Sequence, residues 1–414
     1  MIPFQKFTLA NGLRVIIHED PTTPMAAVNV LYDIGARDEN PEKTGFAHLF
    51  EHLMFGGSQH IPNYDEPLQN AGGESNAFTN NDITNFYQTL PAQNLELAFW
   101  LESDRMNQLA FSKKSLNVQR KVVVEEFKET TLDTPYGDVW HELMGLCYTT
   151  HPYQWPTIGK VPKHVEDATL DDVKSFFYKY YRPNNAILTV AGGVTTEQVR
   201  TLAEKWFGDI PQGEIPVREL PQEPQQTERR FRAKQANVPA DALYMAFPMS
   251  DRADKSYYVA DLITEILSTG ASSRLYRSLV KDERVFAEID AYITGSTDAG
   301  LIIIEGKPVN GVSLEAAEQA VWRVLDAFAA APVSDEELLK IRNKAESTLI
   351  FSEMGILNKA MNLAHFELLG DANAINTEGE IYQSITAADI LAEAKTRLHR
   401  TKANVLYYYA KTTD

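Results

Sequence analysis

Phe4 to Leu9 and Leu13 to Ile17 are apolar-rich segments split by Asn11-Gly12, the turn pair of a hairpin. Met25 to Ile34 is another apolar run of strand type. The period then changes. Phe46, Leu49, Phe50, Leu53 and Met54 recur at i, i+3, i+4, i+7 and i+8, which predicts a helix over 43–57 ended by Gly56-Gly57-Ser58. Strand alternation returns around Ser75 to Thr79 inside a polar stretch that runs from Asn70 to Asn85. Leu95 to Met106 reads as a helix, and Ser112 is an N-cap for a further helix reaching about Lys128. Helices over Leu170–Tyr181 and Thr196–Phe207 flank a strand at Ala186–Ala191.

Residues 211–228 break this rhythm with four prolines and almost no apolar period, as a semi-extended linker does. The pattern then restarts. Ala242 to Phe247, Leu301 to Glu305 and Asn404 to Tyr409 read as strands. Tyr257–Leu267, Leu314–Ala330 and Ser334–Phe351 read as helices, the last with Ser334 and Glu337 as a capping box. The order of elements echoes that of the first half. The expected organisation is two related α+β domains, at 1–212 and 229–414, joined by a proline-rich linker at 213–228. Each is expected to hold an antiparallel-rich mixed sheet packed with helices.

Length agrees with that division, since 414 residues at ~100–200 per domain make two or three domains. The charge count is 39 − 57 = −18. So acidic a chain repels phosphate backbones and anionic lipid, so neither nucleic acid nor a membrane surface is an expected partner. Basic peptides would be attracted, although solubility alone also explains such a charge. Cys147 is the single cysteine, which excludes an internal disulfide and fits a reducing compartment. The opening residues lack a charged stretch followed by an apolar run, so a cytoplasmic location is expected, or a periplasmic one if a leader has been removed. No stretch approaches the ~18 apolar residues of a spanning helix.

Chemistry concentrates in His48-Leu49-Phe50-Glu51-His52. On a helix, His48 and His52 lie one turn apart on one face, and their ring nitrogens can converge on one ion. Glu51 borders that face and can act as a base toward a metal-activated water without being a ligand. This is the inverted zincin string H-x-x-E-H. Catalytic zinc takes three protein ligands and a water, so a third ligand must come from elsewhere. Three fixed letters recur by chance in long chains. Two histidines and a glutamate in the middle of an amphipathic helix would, however, be costly to bury unpaired.

GFAHLFEHLMFGGS, with GGESNAFTNNDITNFY and VVVEEF downstream, resembles the pitrilysin superfamily of zinc peptidases. FTLANGLRVIIHED and Gly270-Ala271-Ser272-Ser273-Arg274-Leu275 extend the likeness over nearly the whole chain. The length resembles the short-subunit branch, which includes the mitochondrial processing peptidase and small bacterial zinc peptidases. Its chains pair so that four homologous domains enclose a chamber, and the resemblance makes this chain half of such a clamshell. It implies zinc as cofactor, His48 and His52 as ligands, Glu51 as base and a downstream glutamate as third ligand. The family's long spacing would land on Glu129. The local motif around Arg120, Val122, Val123, Glu125, Glu126 and Phe127 points to Glu126, which is preferred because loop insertions alter spacing but not helix register. Glu129 would then be a partner behind the ligand, unless it belongs, like Glu125, to a solvated helix face. Gln119 stands seven residues before Glu126, where the family often has a glutamate. Asn76, Ala77, Phe78 and Thr79 resemble the family's substrate-binding edge strand, which would hold an extended peptide by strand addition. An internal strand is the alternative.

The second half lacks another H-x-x-E-H string, and His365 and His399 are isolated. Self-sufficient family members supply there an arginine and a tyrosine for the substrate carbonyl. The matching stretch, Val280 to Glu288, offers Lys281 and Glu288 instead. A carboxylate repels an oxyanion. The resemblance therefore implies an endopeptidase subunit for short or unfolded peptides, paired with a paralogous subunit that carries the Arg/Tyr pair. A homodimer and a non-catalytic scaffold subunit are the alternatives.

Overall fold

The computed structural model describes residues 1–215 and 217–411. The chain is α+β, with two mixed sheets packed with helices, and it divides into two compact units. The first gathers Met1–Glu129, Trp155–Leu220 and Ile350–Thr377. The second gathers Thr130–Gln154, Pro221–Leu349 and the chain from Glu378 onward. These units are discontinuous, whereas the division expected from sequence at 1–212 and 229–414 was contiguous. Each half of the chain lends one segment to the other unit, because each sheet has two apolar faces to cover. Residues 217–228, and 213–215 before them, carry no helix or strand.

In the first unit, β1 (Gln5–Thr8), β2 (Arg14–Glu19), β3 (Met25–Tyr32), β4 (Glu74–Thr79), β5 (Thr84–Pro91) and β6 (Ala186–Gly192) form a sheet in the order β1-β2-β6-β3-β5-β4. β2 and β6 run parallel, and the other neighbours are antiparallel. Gly12 closes the β1–β2 hairpin at φ +87, a conformation that glycine adopts without strain. β5 escaped the sequence pattern because its polar residues are buried against polar partners. Asn85 donates to Asn29 at 2.8 Å, Gln88 to Tyr64 and Glu102 at 2.6 Å, and Thr84 to the Ile34 carbonyl at 2.9 Å.

Helices α1 (Phe46–Leu53), α2 (Asp65–Asn70), α3 (Leu95–Asn107) and α4 (Lys113–Phe127) belong to this unit, with further helices at Leu170–Tyr180 and Thr196–Phe207. α1 is shorter at both ends than the apolar period predicts. Its apolar stripe of Phe46, Leu49, Phe50 and Leu53 is buried in the core. The helix Ile356–Leu368 covers the opposite face of the sheet, where Leu363 and Ala364 meet Ile16, Leu31 and Ile187.

The second unit builds its sheet from β7 (Arg230–Ala236), β8 (Ala242–Pro248), β9 (Phe286–Ile293), β10 (Leu301–Pro308) and β11 (Asn404–Ala410), in the order β7-β11-β8-β10-β9. β7 and β11 are parallel and the rest antiparallel. This repeats β2-β6-β3-β5-β4 position by position and sense by sense. Helices Lys255–Ser268 and Leu314–Phe328 bury one face of the sheet. On the other face α5 (Val139–Cys147) packs Val139, Leu143 and Cys147 against Ala246, Leu406 and Tyr408. The repeat places β9 where β4 stands in the first unit, at a free edge.

Candidate metal centre

α1 begins at Gly45, whose φ of +84 turns the chain into the helix. Glu39 holds that first turn. Its carboxyl group accepts the N–H of Gly45 at 3.0 Å and of Ala47 at 2.8 Å, and the Trp155 indole N–H at 3.2 Å. Burial pushes the Glu39 carboxyl up to about 8, against the pull of those N–H groups. With Leu49 and Phe50 fixed in the core, His48, Glu51 and His52 turn to the half-buried side of the helix.

α4 supplies the facing residue. Ser112 caps it by accepting the N–H of Ser115 at 2.9 Å. Val123, Val124 and Phe127 bury its inner side, and Glu126 projects toward α1. His48 Nε2 lies 3.1 Å from Glu126 Oε2, His52 Nε2 lies 3.3 Å from the same oxygen, and the two Nε2 atoms are 3.2 Å apart. Four tetrahedral bonds of ~2.0–2.1 Å would set ligand atoms about 3.3 Å apart, so the triangle has the edge length a zinc ion needs. The donor set of two imidazoles and a carboxylate also suits zinc. Hydrogen bonding from His48 and then His52 holds the Glu126 carboxyl well below the usual carboxylate range. Among the described residues this is the one group of three such side chains close enough to hold a metal.

Glu51 lies beside the trio, with Oε2 3.9 Å from His48 Nδ1. It is outside the triangle, as a base would be. Glu129 is exposed on a π-helical stretch, Lys128–Asp133, beyond the end of α4, and it does not join the trio. Gln119 is half-buried near Gly56, just past the end of α1; among the described residues it makes no hydrogen bond to the trio. Asn76, Ala77, Phe78 and Thr79 lie on β4, the edge strand of the sheet, which pairs with β5 alone. Asn76 and Phe78 point outward, Phe78 with 38% exposure, and α1 packs against this strand. Lys281 is exposed, and Glu288 on β9 is ion-paired with Lys307 at 2.6 Å. Sequence reasoning missed Glu39. Its only signal is an acidic residue in the loop before the helix, which periodicity does not read.

Two units of repeated topology, one carrying H-x-x-E-H on a helix beside an edge strand, define the class of inverted-motif peptidases and their non-catalytic relatives. Residues 14–144 match the family model described as insulinase, peptidase family M16, and residues 167–345 match the M16 inactive domain. The chain belongs to this family, the pitrilysin superfamily, in its short-subunit branch. It is 29% identical over 352 residues to the zinc protease PqqE of Helicobacter pylori, covering 83% of this chain and 79% of that one. It is 29% identical over 212 residues to the β subunit of the yeast (Saccharomyces cerevisiae) mitochondrial-processing peptidase, covering 50% of this chain and 45% of that one. A solved protease from Helicobacter pylori superposes with a TM-score of 0.93 at 25% identity, covering 99% of this chain and 100% of that one. Among the described residues no helix is long and apolar enough to cross a membrane.

Proposed function

We propose that this chain is the metal-bearing subunit of a zinc-dependent endopeptidase that hydrolyses short or unfolded peptides. The observation that carries this reading is the triangle of His48, His52 and Glu126, with edges of 3.1–3.3 Å, beside Glu51. Zinc, when bound there, supplies a Lewis acid that polarises a peptide carbonyl and acidifies water toward neutral pH. Glu51 takes the proton of the attacking water on its carboxylate and delivers it to the leaving amine nitrogen. The free edge of β4, with Asn76 to Thr79, aligns the peptide as an added strand, which gives affinity through main-chain hydrogen bonds with little sequence demand.

The two positions of the second half that match the family's donor pair carry Lys281 and Glu288. Lys281 is exposed, and Glu288 is a carboxylate held by Lys307. A paralogous subunit carrying an arginine and a tyrosine completes the site. The single buried Cys147 fits assembly in a reducing cytoplasm. The test is hydrolysis of a quenched unfolded peptide by the zinc-loaded chain, alone and mixed with its paralogue. Activity confined to the mixture is expected. Full activity of the chain alone would remove the partner from the scheme, and zinc-free, inactive protein in both samples would favour a scaffold subunit.

A further inference from the structure

In the second unit, α5 packs on β7, β11 and β8, and Leu301 and Ile303 of β10 join the same buried cluster, whereas the Glu305–Lys307 end of β10 and the neighbouring part of β9 border a cavity on that face. That cavity, of about 240 Å³, is bordered by Tyr136, Tyr244, Glu288, Asp290, Glu305 and Lys307. The sheet register explains its chemistry. Tyr244 on β8 stands directly opposite Glu305 on β10, and Glu305 directly opposite Asp290 on β9. Opposed residues of an antiparallel ladder share a face, with Cβ atoms ~4.5–5.5 Å apart, so the three form one row across three strands.

Two carboxylates directly opposite each other on neighbouring strands destabilise a sheet. Lys307 is the one cation in the lining, and its charge is shared between Glu288, Glu305 and the Tyr136 ring, 5.3 Å away. Lys307, two residues along β10 on the same face, is held by Glu288 at 2.6 Å, and among the described residues neither Glu305 nor Asp290 has a cation within 4 Å. Glu305 accepts the Tyr292 hydroxyl at 2.9 Å, which turns its carboxylate within the row. Tyr136 is pinned by exchange of hydrogen bonds with Ala240, at 2.7 and 3.2 Å, and gives the cavity a fixed aromatic wall. Tyr244 is 8% exposed, yet among the described residues its hydroxyl has no hydrogen-bond partner. The cavity thus sets three carboxylates, Glu288, Asp290 and Glu305, against the single ammonium of Lys307, with an unused hydroxyl beside aromatic surface.

A bare metal ion does not match this site, because its carboxylates do not bring three ligand atoms within 4.8 Å of one another as the trio of the first unit does. A larger organic cation does. We propose that this cavity binds the guanidinium or ammonium side chain of an arginine or lysine in a peptide. Its charge would offset the excess of carboxylates over Lys307, its stem would lie beside the Tyr244 ring, and its N–H groups would engage the Tyr244 oxygen. Taking the cation to be a peptide side chain rests on the peptidase reading; the cation site itself does not.

The test is equilibrium binding of a short acetylated, amidated peptide containing one arginine to the full Glu51→Gln chain, against the same peptide with neutral citrulline. The arginine peptide should bind about tenfold tighter. The double variant Asp290→Asn/Glu305→Gln should abolish the difference, and Tyr244→Phe should reduce it. Glu288→Gln, which releases Lys307 toward the row without altering it, should also reduce the difference and serves if the double variant misfolds. Equal binding of the two peptides, or a preference that survives both variants, would overturn the proposal. Preference retained in a chain whose wild type never cleaves peptide, alone or paired, would overturn the peptidase reading and leave the cation site standing.

Discussion

Glu39 accepts the main-chain N–H of Ala47 at 2.8 Å, so a buried carboxyl group fixes the helix one residue before His48. A carboxyl in this place has two effects that can be separated. It satisfies the open N–H groups of the first turn, and it resists ionisation because it is buried. Glu39→Ala should therefore destabilise the chain by about 1–3 kcal/mol and loosen the alignment of His48 with Glu126, which lowers zinc affinity. Glu39→Gln keeps an acceptor and should recover most of that affinity. Isothermal titration with zinc and urea unfolding measure both.

The same residue gives a pH signature. Its folded value of about 8 lies above the ordinary 4.5, so the folded chain keeps a proton that the unfolded chain releases. The stabilisation is full below about pH 4.5 and is lost as pH rises to about 8. In Glu39→Gln this fall should disappear from the urea midpoint measured across that range. An unchanged pH profile would show that Glu39 is ionised in the fold.

Gly45 is the other fixed point of the helix start. At φ +84 any side chain is strained, and a Cβ there would lie 2.8 Å from the Ile158 carbonyl oxygen. Gly45→Ala should cost more than about 1 kcal/mol and weaken zinc binding with it. Normal stability with normal zinc affinity would show that the helix start does not set the spacing of the trio.

Glu51 is assigned the proton transfer and no ligand role. Glu51→Gln should keep its zinc and lose turnover by about 10²–10⁴-fold, read as kcat of the paired enzyme on a quenched peptide. Loss of zinc from this variant would move Glu51 into the ligand set.

The apolar stripe of α1 made the helix legible, and with it the shared face of His48, Glu51 and His52. Ser112 made the start of α4 legible in the same way. The third corner of the triangle was legible only through likeness to a family, because no local period links α1 to Glu126 across the intervening sheet and helices. What stayed hidden was settled far along the chain. β7 reads as too charged for a strand, but Arg232 and Lys234 are met by Glu142 of α5. β9 hides its strand nature behind Glu288 and Asp290, which line a cavity instead of facing a core. Helices α5 and Ile356–Leu368 show their apolar faces in sequence but not which sheet those faces cover. Glu39 is invisible for the same reason, since only the folded loop brings it to Ala47 and Trp155.

Arg105 tests the packing behind the site. It is fully buried, bonded to Glu102 at 2.5 and 2.9 Å, and enclosed by the rings of Tyr64 and Phe86, each 4.4 Å from the guanidinium. Arg105→Met removes the counter-charge of buried Glu102, leaving it the Tyr64 and Gln88 donors alone, and should cost about 3–5 kcal/mol. Adding Glu102→Leu should return part of that loss. No recovery in the double variant would mean that the cation–ring contacts, rather than the ion pair, carry the stability.

The most direct test of the metal centre is the zinc content and zinc affinity of three purified full-length chains after metal is supplied: wild type, Glu51→Gln and Glu126→Ala. About one tightly held zinc per chain is expected in the first two, and affinity at least tenfold weaker in the third. Glu126→Ala binding zinc as tightly as wild type, or a wild-type chain that takes up none, would contradict the assignment of His48, His52 and Glu126 as its ligands.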